Sequence, residues 1–245
     1  MNKIYVVGIG PGSYEQMTIK AAHVLESCET IVGYTVYVEL MKKHFGNKEF
    51  LTTPMKKEVD RCILAFEEAK KGKTVAMICS GDAGVYGMAG LMIDIGATRY
   101  PEFEVEIVSG VTAALGGGSL LGAPFIHDFA VISLSDLLTP WETIQSRLIH
   151  ASMADLVICL YNPSSKKRHD YLEKACDLIM EHQPETLICG IVKNIARDGE
   201  TIEILTLKEL RDKKVDMFTT VYIGNSNTKR VGNRMVTPRG YEYER

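Results

Sequence analysis

SGDAGVYGM, Ser80–Met88, directly follows Thr74–Cys79 (TVAMIC), a short apolar run with the length and composition of a buried strand. A strand that ends in small residues brings backbone close to whatever lies beyond it, because glycine has no Cβ to collide. Gly81, Gly84 and Gly87 surround one carboxylate, Asp82, and one phenol, Tyr86. Open α/β sheets bind ligands at the carboxyl ends of their strands, so this stretch predicts a ligand-facing loop in an α/β fold. A tight strand-to-helix turn whose glycines only satisfy geometry explains the same residues equally well when they are taken alone. The loop's neighbours in the chain have to decide.

Upstream, Lys3–Gly8 (KIYVVG) predicts a strand that runs into Gly8-Ile9-Gly10-Pro11-Gly12-Ser13, and Thr18–Ser27 has helical spacing through Ile19, Ala22 and Leu25. A dinucleotide fingerprint does not fit. The spacing is GxGxG, the helix starts late, and no acid closes the second strand, Thr30–Val32, where a ribose-binding carboxylate belongs. A phosphate-cradling GK[ST] is also missing. Gly10 and Pro11 are left as a close-approach loop for a ligand that is not pyrophosphate. Thr35–Phe45, Glu58–Lys71 and Gly87–Ile95 read as helices and Glu104–Val108 as a strand ending in Ser109-Gly110-Val111-Thr112-Ala113. Gly116-Gly117-Gly118 interrupts what would be a helix, at about 1 kcal/mol per glycine relative to alanine, and marks either close packing or a mobile element. Three glycine-bearing loops, each following a strand, would gather on one edge of a parallel sheet.

The rest of the chain reads differently. Ala123–Asp128 looks like a junction, giving lobes 1–122 and 123–245. Val131–Leu134 predicts a strand, Ser135–Thr139 a polar loop, and Pro140 the first position of a helix with Trp141, Ile144, Leu148 and Ile149 on one face. Leu156–Leu160 predicts a strand ending in Tyr161-Asn162-Pro163, with Ser164 or Ser165 capping a helix to His182. Leu187–Val192 predicts a strand ending in Lys193-Asn194. Thr201–Leu205 and Thr219–Ile223 are further strands, and Asn225–Arg245 is a polar tail. Hairpin-like and helix-linked strands together predict a mixed sheet.

Composition narrows the function. At 46% hydrophobic and 24% charged residues the chain is globular, and a net charge of −3 argues against nucleic acid as its main partner. No apolar run reaches the roughly 18–20 residues of a membrane span, and the first residues enter a strand with no secretory leader, so a cytoplasmic protein is expected. The six cysteines contain no CxxC pair and read as small buried hydrophobes of a reducing compartment. The histidines lack ligand spacing, so no protein-bound metal is expected.

Four stretches, IGPGS (Ile9–Ser13), SGDAGVYGM (Ser80–Met88), SGVTAA (Ser109–Ala114) and ICLYNP (Ile158–Pro163), occur in the order and spacing that resemble the tetrapyrrole methyltransferase family. The resemblance covers essentially the whole chain. Ala83 stands where the family commonly has proline. With HDFAVISLSDLLTPW (His127–Trp141) and TPRGY (Thr237–Tyr241), the pattern is similar to the branch that methylates C17 of a corrin precursor and contracts its ring in cobalamin biosynthesis. The resemblance implies two α/β lobes with S-adenosylmethionine in the cleft between them, S-adenosylhomocysteine as its product, a corrinoid tetrapyrrole substrate with or without cobalt, and a homodimer. Pro11 would line the cofactor pocket beside Gly10. Ser80, Gly81, Asp82 and Val85, with Tyr86, match positions that hold the methionine part and ribose. Thr112 and Ala113, with Ser109, match a further contact. Leu160 and Tyr161 fall near the adenine, and Ile195 and Ala196, with Asn194, at a backbone-contact position where the local sequence departs from the family's.

Methyl transfer from a sulfonium is an in-line displacement that asks mainly for orientation. Ring contraction also needs proton movement, hence acid–base groups. His127 beside Asp128 is the first candidate, since a neighbouring carboxylate favours the imidazolium; a hydrogen bond across the junction is the plain alternative. Asp136, in the otherwise uncharged stretch Ser133–Thr139, could bind pyrrole N–H groups along with Ser133, or cap a turn. Asp82 could cap the following helix and Tyr86 could pack in the core or touch substrate. Arg234 and Arg239 are the best candidates for bidentate carboxylate binding. Lys166-Lys167-Arg168, in the first turn of a helix, form one basic cluster and Lys229, Arg230, Arg234 and Arg239 a second, with a solvated surface as the plain alternative for both. A sister methyltransferase acting at C11, at C20 or on uroporphyrinogen III is the near alternative, and an NAD(P)-binding oxidoreductase the distant one.

Overall fold

Asn2–Gly8 forms β1, an interior strand of a sheet in which every pairing is parallel. In chain order follow α1 (Ile19–Ser27), β2 (Thr30–Tyr34), α2 (Thr35–Lys42), β3 (Glu49–Thr53), α3 (Glu58–Lys70), β4 (Val75–Cys79), α4 (Ala89–Arg99) and β5 (Phe103–Val108). The strands lie in the order β3-β2-β4-β1-β5, all parallel. The computed structural model describes residues 2–165 and 169–241. β4 explains the two-sided burial: its apolar run is continuous, yet Val75, Met77 and Cys79 join a core with Phe66 and Met92 of α3 and α4. Ala76 and Ile78 turn to the other face, against Leu25, Val38 and Met41 of α1 and α2. A parallel sheet needs helices on both faces, and an unbroken apolar strand supplies both. All these crossovers put the ends of β1, β4 and β5 on the same edge.

The chain divides into two compact units, Met1–Ala113 and Ala114–Arg245. The boundary falls where α5 (Ala113–Leu121) begins, one helix before the 122/123 junction expected from sequence. The second unit continues with β6 (Gly122–Ala123), β7 (Phe129–Ser133), α6 (Trp141–Met153), β8 (Val157–Tyr161), α7 (Tyr171–Met180), β9 (Ile188–Lys193), β10 (Thr201–Thr206), α8 (Leu207–Arg211), β11 (Thr219–Ile223), β12 (Lys229–Val231) and β13 (Arg234–Val236). Its main sheet has the order β10-β9-β11-β8-β7. β7 and β8 are parallel and the other pairs antiparallel, so the sheet is mixed as expected. One face packs Ile132, Ile158, Leu160, Val221 and Ile223 against α6, α7 and α8.

α5 runs unbroken through Gly116-Gly117-Gly118, contrary to the expected interruption. Close packing is the reason. A Cβ on Gly117 would stand 2.1 Å from Tyr222 Oη, and one on Gly118 3.0 Å from the Phe125 ring. Farther along, the Leu121 side chain lies 2.7 Å from where a Cβ of Gly190 would be. The helix thus lies directly on the strands, and tertiary contact outweighs poor intrinsic propensity.

Three other expectations are corrected, and β3 is a short edge strand in a stretch for which no element is expected from sequence. The polar tail folds into the hairpin β12–β13, whose second strand pairs with β6. α7 starts at Tyr171, with Asp170 at its N-cap and not Ser164 or Ser165, and Lys166-Lys167-Arg168 lie outside the described residues. Pro140 is the N-cap of α6, one position before the helix. No described helix is long and apolar enough to cross a membrane.

Candidate active site

In the first unit, the loops after β1, β4 and β5 meet backbone to backbone. A Cβ on Gly8 would lie 2.7 Å from the Gly81 carbonyl oxygen and 2.8 Å from the Gly110 nitrogen, and one on Gly110 2.2 Å from that same oxygen. Gly10 and Gly81 exchange two hydrogen bonds, Gly10 N–H donating at 3.1 Å and Gly81 N–H at 2.8 Å, both residues in the left-handed region at φ +72° and +68°. Pro11 is buried and follows this bridge directly.

Asp82 locks the arrangement. Its Oδ1 accepts from Gly84 N–H at 2.8 Å and its Oδ2 from Gly110 N–H at 2.9 Å. The carboxylate therefore ties the β4 loop to the β5 loop. It does not cap α4, which begins at Ala89. Ser109 gives its carbonyl to the Thr18 hydroxyl at 3.1 Å, and the same Thr18 oxygen caps α1 by accepting from Ala21 N–H. Thr112 follows closely, with its Cα 3.5 Å from the position of a Gly81 Cβ. Tyr86 is not core: it is 55% exposed and held at φ +53°, a left-handed conformation that costs a non-glycine residue of order 1 kcal/mol. Ser80 and Val85 are part-buried beside it. The first-unit candidates thus share one loop cluster at the carboxyl edge of a parallel sheet.

In the second unit the candidates fall into two groups. Ser133, Asp136, Tyr161 and Asn194–Ala196 follow the carboxyl ends of β7, β8 and β9. Tyr161 Oη accepts from Ala114 N–H at 2.6 Å, satisfying an amide in the first turn of α5. Asn162, at φ +53°, donates from Nδ2 to Ser133 Oγ at 2.9 Å. Asp136 Oδ2 accepts from Tyr171 Oη at 2.7 Å, and Tyr171 packs on Trp141 with ring centroids 4.3 Å apart. Asn194 and Ala196 both have positive φ, at +53° and +55°. Ala196 N–H donates to Glu200 at 2.7 Å. Ile195 is buried and reaches Gly117, its Cδ1 2.8 Å from where a Cβ there would be. The Leu160 side chain points into the helix-covered core, so at the strand end this position offers backbone.

His127, Asp128, Arg234 and Arg239 are all exposed and sit at the opposite end. The Asp128 carbonyl accepts from Val157 N–H at the start of β8. Thr237 anchors the tail hairpin on the same side, through Ala123 and Thr228. Strand β7, five residues or roughly 17 Å long, separates His127 and Asp128 from Ser133 and Asp136. The fold does not bring these acid–base candidates together. Asn162 and Tyr171 belong to the carboxyl-edge group and were missed; asparagine directly after a strand was the available signal for the first, and nothing local marked the second. Among the described residues no group of histidine, cysteine or acid side chains is arranged to hold a metal ion.

Residues 3–211 match the model of the tetrapyrrole (corrin/porphyrin) methylases. The chain belongs to this family. A probable cobalt-factor III C(17)-methyltransferase of Salmonella typhimurium is 44% identical over 236 residues, covering 96% of this chain and 98% of its relative. A precorrin-3B C(17)-methyltransferase of a Sinorhizobium species is 36% identical over 246 residues, covering 97% and 96%. The crystal structure of the methyltransferase CobJ superposes with a TM-score of 0.88 at 32% identity, across 97% of this chain and all of that one. The first unit's carboxyl-edge loop cluster lies where open parallel α/β sheets bind ligands. Membership also removes the oxidoreductase reading, consistent with the missing ribose acid.

Proposed function

We propose that the chain is an S-adenosylmethionine-dependent C-methyltransferase that methylates C17 of a precorrin-3B-like macrocycle, with or without cobalt, and contracts its ring in cobalamin biosynthesis. The observation that carries the reading is end-to-end similarity to relatives named for this one activity. The first-unit loops suit a cofactor rich in backbone-recognised groups: glycines at Gly10 and Gly81 expose amides and carbonyls, and Asp82 fixes the geometry instead of acting as a base. Pro11, Ser80, Gly81, Val85, Thr112 and Ala113 are the proposed S-adenosylmethionine residues of the first unit, and Tyr161 with Asn194–Ala196 those of the second. The cofactor supplies an electrophilic methyl group on a sulfonium. The protein's task in that step is alignment, which can contribute about 7–11 kcal/mol.

Ring contraction asks the chain for proton transfer. Asp136, already hydrogen-bonded to the Tyr171 hydroxyl, is the proposed acid–base group because it shares the carboxyl edge with the other contacts. His127 with Asp128, at the far end of β7, is the second candidate. Arg234 and Arg239 are proposed to meet carboxylates on the substrate rim. A homodimer is the proposed assembly. Six free, buried cysteines fit a reducing cytoplasm.

The test is incubation with methyl-labelled S-adenosylmethionine and each form of the precursor, with product mass and NMR. Label at C17 with a contracted ring is the expected outcome; label at C11 or C20, or on uroporphyrinogen III only, would move the chain to a sister activity. His127→Ala and Asp136→Asn then assign the proton chemistry, as the variant that still methylates but no longer contracts identifies the group required.

A further inference from the structure

The loop between β7 and α6 presents an unusual surface. Leu137 is 63% exposed and Leu138 98% exposed, two consecutive leucines held in water. The loop is not slack. Ser135 N–H donates to Ser133 Oγ at 3.2 Å, Leu134 N–H donates to the Tyr161 carbonyl at 2.9 Å, and Asp136 accepts from Tyr171. On the other side Pro140 fixes φ as the N-cap of α6. The leucines therefore sit at the tip of a loop pinned on both sides, and the pins include residues of the carboxyl-edge group.

We infer that Leu137 and Leu138 form an apolar contact for the flat face of the tetrapyrrole macrocycle, making this loop a substrate-positioning element. The inference rests on the methyltransferase reading above. The chemistry selects the occupant. A tetrapyrrole has an apolar, planar face and an acidic rim. The loop carries no cation to meet the rim, and its one charged side chain, Asp136, would repel it. Two branched aliphatic side chains beside a hydrogen-bonded carboxylate suit the ring face, with Asp136 next to it for the ring's N–H groups. Contacts with Ser133, Tyr161 and Asn162 place this patch at the carboxyl edge, and Leu138 is the most exposed of the large apolar residues there.

The test uses the full chain carrying Leu138→Ala alone and Leu137→Ser with Leu138→Ser. Both sites are exposed in the free protein, so melting temperature and S-adenosylhomocysteine affinity should stay at the unsubstituted values. The double variant should raise KM for the macrocycle, and weaken cobalt-factor III binding in an absorbance titration, by about tenfold or more, with the single variant between. Unchanged macrocycle affinity with an active unsubstituted enzyme would overturn the loop assignment and leave the methyltransferase reading intact. A change in oligomeric state by sedimentation, at unchanged macrocycle affinity, would instead assign the leucines to a second copy of the chain and also overturn it. If the unsubstituted protein transfers no methyl group to any tetrapyrrole, the functional reading fails and takes this inference with it.

Discussion

Replacing Gly117 by alanine sets two physical effects of known size against each other. Alanine is the better helix former, by about 1 kcal/mol, so propensity alone predicts stabilisation. The new Cβ, however, would lie 2.1 Å from Tyr222 Oη, 2.8 Å from Ile195 Cδ1 and 3.0 Å from Tyr222 Cζ, where carbon needs about 3.5 Å or more. Tyr222 has no exposed surface and Ile195 almost none, so neither can swing into solvent. Overpacking of this kind costs about 1–3 kcal/mol and here belongs at the upper end. The net is a loss of roughly 1–2 kcal/mol, or a fall of about 2–8 °C in melting temperature for a chain of this size. Gly90→Ala is the control. It is the same change inside a helix, but nothing lies within 4 Å of the added Cβ, and the melting temperature should rise by up to roughly 4 °C. Tyr222→Phe removes the nearest clashing atom, so the double variant with Gly117→Ala should recover about 1 kcal/mol relative to the sum of the single changes. Thermal denaturation followed by circular dichroism measures all four. A Gly117→Ala protein as stable as the parent, or a cycle with no coupling, would refute the close-packing account of the triple glycine.

Three further outcomes follow from the same geometry. Asp82→Ala strands the Gly84 and Gly110 amides and should cost about 2–3 kcal/mol, together with weaker S-adenosylhomocysteine binding by calorimetry; Asp82→Asn, with one acceptor left, should fall between. A protein with normal stability and binding but no methyl transfer would return Asp82 to a chemical role. Tyr161→Phe leaves the Ala114 amide without its acceptor and should lower stability by about 1 kcal/mol, read from urea unfolding. Glu68 is held below the usual carboxylate range by hydrogen bonds from Lys71 and Lys73. A depressed folded-state value means its contribution is complete above the unfolded value near 4.3 and is lost as pH falls through the folded one. Glu68→Gln should therefore narrow the gap in stability to the parent between pH 7 and pH 3; an unchanged gap would remove Glu68 from the acid response.

The parallel half was legible because each apolar run is long enough to be recognised and each glycine loop follows one. β3 was hidden because Glu49–Thr53 is an edge strand with little apolar content, and the tail hairpin because β12 is exposed at all three positions. β3 is held by its pairing with β2, and the hairpin by the pairing of β13 with β6, far back in the chain. The triple glycine was read correctly as a cost, but the compensating contact with Tyr222 lies about a hundred residues away. The site followed the same rule. The loop residues after β1, β4 and β5 were legible, since a strand end fixes their place. His127 and Asp136 look like neighbours in sequence, yet β7 carries them to opposite ends of a sheet. Leu160 is expected near the adenine only from the resemblance, and strand alternation turns its side chain into the core.

The buried thiols have a consequence for how the molecule opens. Cys28, Cys62 and Cys79 lie in the first unit and Cys159, Cys176 and Cys189 in the second, all free and buried. Burial pushes Cys28 and Cys79 up to about 11 and Cys62 and Cys176 up to about 12, with Cys159 and Cys189 also well above the ordinary value. Neither a nucleophilic thiolate nor an approach path exists until a region unfolds. Each half therefore carries three internal clocks whose alkylation rates record its own opening. Six matching rates would describe one cooperative transition, and two sets of three would mean that the halves breathe independently, each on a schedule that ligand binding could slow.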